Sequence, residues 1–299
     1  MKAVRSLVVL VGFFLYASIL SACPCGCGAV GPLILSPGEA WKFKIGFSKD
    51  YNRDLIDGKG RLGLDDGPSQ TDKYSFGLAN SVNERLTWSG QWNYERNFHA
   101  DAGSHYSFGD PSVGLRYTFF APGAFEHYLP TLQAHLSYKH AMAKGLLENA
   151  EEDHALDIHG NSFSEVLPGI DAWYTYLYWT FGAGATGIIR RPVNVKDEQS
   201  TKLHEKGKAL KSQLSVAYTF FGTGQILASV EREEKEQDKV SGIDIKNSGS
   251  LRHTVDLTAN LRVGMRKTLS FNLQRSGYYL GARNSARKEA FSMSYLQTI

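Results

Sequence analysis

Apolar and polar residues alternate with a period of two along most of this chain. Trp41, Phe43, Ile45 and Phe47 fall on one side, and Lys42, Lys44, Gly46 and Ser48 on the other. A strand points successive side chains to opposite faces, so this spacing predicts a strand with one apolar and one polar face. The rhythm returns over 74–79, 86–95, 109–119, 132–139, 164–174, 177–189, 213–220, 225–234, 254–263, 269–274 and 291–295. That makes about twelve strands, the stretch 164–174 being the least regular. Short turns at 80–84, 121–128, 221–224 and 264–267 take turns with long polar connections at 51–72, 99–107, 141–161, 190–208 and 235–250. The charged run 231–239 reads as a solvated loop flank.

This pattern predicts an all-β fold, a transmembrane antiparallel β-barrel over residues 41–299. A soluble β-sandwich buries one face of each strand and gives the same alternation. Two features favour the barrel. The strands approach the roughly 9–11 residues that cross a membrane. Aromatic residues also cluster near strand ends (Trp41, Tyr74, Tyr94, Tyr117, Phe119, Tyr138, Tyr218 and Phe220), as interfacial girdles require. Outer-membrane barrels carry short turns on the periplasmic side and long loops outside. With an even strand number and long first and last connections, both termini are expected in the periplasm.

The polar face would then line the interior. Its candidates are Lys42, Lys44, Gln91, Asn93, Glu95, Arg116, His135, Lys139, Asp256, Asn260, Arg262, Asn272 and Gln274. Both signs of charge are present, which suits a water-filled or partly plugged path for small solutes. The alternative is a packed interior whose charges pair and leave no path.

Composition narrows the picture. Gly (30), Phe (16) and Tyr (15) are plentiful, as an aromatic-belted β-protein needs. Net charge is +3, with Lys2 and Arg5 supplying two of those charges, so a nucleic-acid partner is not expected. After the first twenty residues, no run reaches the roughly 18 apolar residues of a spanning helix.

Those first residues differ from the rest. Lys2 and Arg5 precede an apolar run ending at Leu20, as in a secretory signal peptide over 1–22. Leu20-Ser21-Ala22-Cys23 resembles the bacterial lipobox, which implies lipidation at Cys23 and outer-membrane lipid as a partner. An ordinary signal cleaved nearby is the alternative. The Cys-rich segment 23–40 reads as a periplasmic connector or plug. Cys25 and Cys27 could hold a soft metal ion or form a disulfide. No other cofactor is expected. His154 and His159, beside Glu151, Glu152 and Asp153, are candidates for weak cation binding in a loop. No Gly-x-Ser-x-Gly elbow occurs, and the chain is not expected to be an enzyme.

The stretch Gly109-Asp110-Pro111-Ser112-Val113-Gly114-Leu115-Arg116-Tyr117 resembles a strand opening in a bacterial outer-membrane family named for the meta-pathway of phenol degradation. The resemblance extends to the strand rhythm over 41–295. It implies a channel or uptake barrel for small solutes, hydrophobic and aromatic ones among them, and no catalytic residues. The chain departs from outer-membrane barrels at its end, Leu296-Gln297-Thr298-Ile299, where an aromatic residue is usual. A non-conducting structural or adhesion barrel and a metal-handling protein remain the other readings, and oligomeric state is open.

Overall fold

The structure, a computed structural model, describes residues 40–56, 62–64, 70–99, 103–122, 129–142, 162–197, 200–220, 223–277 and 281–299. The segment 1–39, with Cys23, Cys25 and Cys27, lies outside them, as do His154 and His159.

Among the described residues, eighteen strands follow in chain order: β1 (Trp41–Ile56), β2 (Leu62–Leu64), β3 (Gln70–Ser81), β4 (Leu86–His99), β5 (Gly103–Phe108), β6 (Ser112–Phe120), β7 (Thr131–Lys139), β8 (Glu165–Tyr176), β9 (Trp179–Arg190), β10 (Val193–Asp197), β11 (Ser200–Glu205), β12 (Ala209–Phe220), β13 (Gly224–Lys235), β14 (Lys239–Val240), β15 (Ile243–Asp244), β16 (Ser250–Gly264), β17 (Lys267–Ser276) and β18 (Ser285–Thr298). Twelve of them, β1, β3, β4, β6, β7, β8, β9, β12, β13, β16, β17 and β18, pair antiparallel in sequence order. The sheet closes where β18 meets β1, with Lys42 opposite Thr298 and Asp50 opposite Ala290. Closure leaves no open edge, the condition for a sheet to cross a bilayer.

The outward face explains why this closure is stable in lipid. Phe43, Ile45, Phe76, Leu115, Ile170, Leu214, Ile226, Leu257, Leu273 and Met293 are all exposed, Leu214 at 67%. An apolar surface of this extent is costly in water and favourable in hydrocarbon. Rings collect along the short-turn end, where Trp179 lies 4.9 Å from Tyr218 and Trp41 meets Trp88 edge-on at 6.3 Å. A second row lies higher, with Phe47 5.3 Å from Tyr74. Above it the outward positions turn ionic: Asp72 with Arg96 at 3.7 Å, Arg232 with Glu234 at 2.8 Å and Arg275 with Glu289 at 3.1 Å. On β13 the switch occurs within one strand, from Ile226, Ala228 and Val230 to Arg232 and Glu234. The apolar band is therefore bounded on both sides, as the roughly 25 Å band of a membrane barrel is.

The strands run past this band on the long-loop side, where the structure departs from the expectation of loops. β1 continues to Ile56 and β4 to His99. β5 pairs with the top of β4, Tyr94 opposite Phe108, over residues expected to be a loop. It stands in line with β6, from which it is separated by Gly109-Asp110-Pro111. The connections 190–208 and 235–250 build a four-stranded sheet, β10-β11-β14-β15. The run 231–239 is also not a solvated flank: its first half is barrel wall, with Glu231 and Glu233 facing inward. The competing sandwich is excluded by the single closed sheet.

Candidate functional site

The candidate site is the barrel interior. Inward positions in the lower half carry small side chains. Ser75, Ala79, Ala217, Ser229, Ser270, Ser292 and Ser294 are all buried. Large polar side chains sit among them in discrete clusters.

One cluster ties four strands together. Arg116 of β6 donates from Nη1 to Gln133 Oε1 (2.8 Å) on β7 and to Asp171 Oδ2 (3.2 Å) on β8. His135 of β7 holds the same carboxylate oxygen through Nδ1 at 2.9 Å. Its Nε2 lies 3.1 Å from Thr186 Oγ1 on β9. With Nδ1–H donating to Asp171, Nε2 accepts the Thr186 hydroxyl proton. Gln133 donates in turn to Thr118 Oγ1 at 3.1 Å.

Glycines make the room. A Cβ at Gly169 would sit 2.3 Å from His135 Nε2, and one at Gly184 would sit 2.5 Å from Asp171 Oδ1. Neither strand could carry a side chain at those points without displacing the cluster. At Gly182 a Cβ would lie 2.2 Å from Cζ3 of Trp173, which also faces inward.

Higher up, Lys73 lies between Asp50 (3.5 Å) and Glu95 (3.8 Å). On the opposite wall Lys211 meets Glu231 (3.2 Å) and Glu233 (3.6 Å), and Glu233 also holds Arg252 at 2.5 Å. At the long-loop rim, Arg190 pairs with Glu165 at 2.7 Å and donates to the Gly207 carbonyl at 2.8 Å. The Gly207 amide donates to Asp238, which Lys235 holds at 2.9 Å. Lys139 pairs with the buried Asp110 at 3.4 Å. Beside this rim, above the spanning strands, Lys206 lies over the Phe163 ring at 5.5 Å. Burial lowers its pKa from the usual lysine value, and the cations Arg190 and Lys235 push the same way against Asp238 and Glu165.

The remaining expected lining residues fall as follows. Lys42 and Lys44 are buried near the short-turn rim. Gln91 donates to Asn93 (3.3 Å), Asn260 to Gln225 (3.3 Å) and Asn272 to Thr258 (2.9 Å). Asp256 stands opposite Gln274. Arg262 is different: it is exposed at the edge, and its guanidinium donates to the carbonyls of Gly264 and Met265 in its own turn. Sequence reasoning missed Asp50, Lys73, Glu165, Asp171, Arg190, Lys211, Glu231, Glu233 and Arg252. The usable signal was parity: 231 and 233 keep step with 225, 227 and 229. Among the described residues, no group of three or more His, Cys, Asp or Glu is placed to hold a metal ion.

Comparison with known proteins places the fold. No protein-family model and no curated protein matches the chain. An outer-membrane channel from Pseudomonas putida F1, known from a crystal structure, superposes with a TM-score of 0.67 at 14% identity, covering 89% of this chain and 100% of that one. The KdgM porin gives 0.48 at 10% identity, over 86% of this chain and 99% of its own. A mutant of the monoaromatic hydrocarbon channel TodX gives 0.49 at 7% identity, over 87% and 91%. At such identities the likeness to the Pseudomonas channel is one of architecture, a closed barrel of the outer-membrane type.

Proposed function

We propose that this chain is a bacterial outer-membrane channel that passes small solutes passively, with both termini in the periplasm. One observation carries the reading. A closed sheet with an apolar band outside encloses polar and ionic side chains from end to end. The expected alternative, an interior whose charges pair and leave no path, would carry the desolvation cost of every ion without a use for it, where apolar side chains would fill the same space without that cost. The fold shared with the Pseudomonas channel supports the same reading, and so does the resemblance to the phenol-degradation family, from which hydrophobic and aromatic solutes follow as candidates.

The lower interior is tightly packed. Lys44 and Ser270 are 2% exposed, and Thr180 and Thr258 are 1% exposed. Twelve strands lined by small residues would otherwise leave a bore. This supports a resting state closed at that level, and residues 23–40 are our candidate for the plug, following a signal peptide at 1–22. Lipidation of Cys23 would anchor that segment to the inner leaflet, and Cys25 and Cys27 would pair or hold a soft metal ion in the periplasm.

Liposome swelling tests both parts. Full-length protein is expected to admit small solutes slowly, and a chain lacking 23–40 to admit them several-fold faster. Equal rates would remove the plug, and no uptake by either would remove the channel.

A further inference from the structure

We propose that Trp173 is a stacking platform in the lumen for a six-membered ring that has an apolar face and carries hydroxyl groups at its periphery. The inference rests on the channel reading and names the solute class for it. All five tryptophans of the chain lie within the described residues. Trp41, Trp88, Trp92 and Trp179 face outward, in step with the exposed apolar positions of their strands. Trp173 alone faces inward, on the same side of β8 as Asp171 and Gly169.

The indole is seated against the wall. The space above Gly182, its partner on β9, is filled by Cζ3 and Cε3 of Trp173, and Ser215 Oγ of β12 closes the far side. Any larger residue at 182 would lift the ring away. Trp173 is half-buried at an inward position of its strand, so the part of the residue that is not covered faces the lumen. A large apolar ring would ordinarily be placed on the lipid side, where the other four are. Held on a polar wall, it offers an apolar plane framed by hydrogen-bonding groups: the Thr131 and Ser215 hydroxyls and, one position up the same face, the Asp171 carboxylate. An aromatic face with a few fixed polar groups is the usual make-up of a small-molecule site. The plane accepts the face of a ring, and the frame satisfies hydroxyls that would otherwise lose their water. A pyranose and an aromatic alcohol share this chemistry.

The test uses full-length protein refolded into liposomes of brominated lipid. The lipid quenches the four outward tryptophans and leaves the emission of Trp173. Methyl glucoside and benzyl alcohol are then titrated separately. The proposal expects a saturable change in emission with at least one probe, and the responding probe identifies the source of the ring. Gly182→Ala keeps the indole but displaces it, and should weaken binding about tenfold. Trp173→Ala, followed by titration calorimetry, should do the same. No saturable change with either probe, or undiminished binding by both variants, would overturn the platform. Ion flux through the same liposomes separates the two ideas: flux without a saturable change removes the platform and leaves the channel. A saturable change without flux removes the channel and leaves the binding site.

Discussion

Asp171→Ala is expected to lower the stability of the refolded barrel by about 3 kcal/mol, read as a shift of the urea midpoint followed by tryptophan emission. The carboxylate takes Arg116 at 3.2 Å and His135 at 2.9 Å on one oxygen. The side chains of Arg116, His135 and Asp171 are only 10%, 11% and 15% exposed. Removing it takes this counter-charge from the Arg116 guanidinium in a place water reaches poorly, and frees the His135 ring from its orienting partner. Breaking a buried pair by deleting one partner is costlier than the pair's net worth, because the remaining charge keeps its desolvation penalty. Asp171→Asn, which keeps an acceptor and loses the charge, should fall between. A loss under about 0.5 kcal/mol would show that the lumen at this level is wet enough to screen the pair.

Leu214→Lys is expected to cost about 2–4 kcal/mol and to reduce insertion into liposomes, while Gln213→Lys next to it costs less than about 1 kcal/mol. Leu214 is 67% exposed near the middle of β12, so its replacement puts an ammonium into hydrocarbon. Gln213 points the other way, opposite Glu231, which can take the new charge. A soluble sandwich would accept Lys at an exposed position without penalty. Equal effects at 213 and 214 would contradict the assignment of the faces.

Much of this was legible because alternation survives wherever one face meets lipid. Phe43, Ile45 and Phe47 against Lys42, Lys44 and Gly46 suffice to place β1 and to say which side faces in. The signal fails where the strands leave the membrane. Above the band both faces meet water, so Arg232 and Glu234 look no different from Glu231 and Glu233, and the run reads as loop although its two faces do different work. The same blindness hid β5 and the four-stranded rim sheet. Asp171 was missed for another reason. Pro168 and Gly169 interrupt the apolar rhythm of β8, and their role appears only when Gly169 is seen to leave room for His135 on the neighbouring strand. Glycine seats depend on cross-strand register, which no single strand encodes.

Whether this barrel is a conduit is decided by single-channel recording of the refolded full-length protein in a planar lipid bilayer. Discrete conductance steps are expected, with the mean open current or the open fraction rising when residues 23–40 are removed. A folded, inserted barrel that stays silent with and without that segment would contradict it.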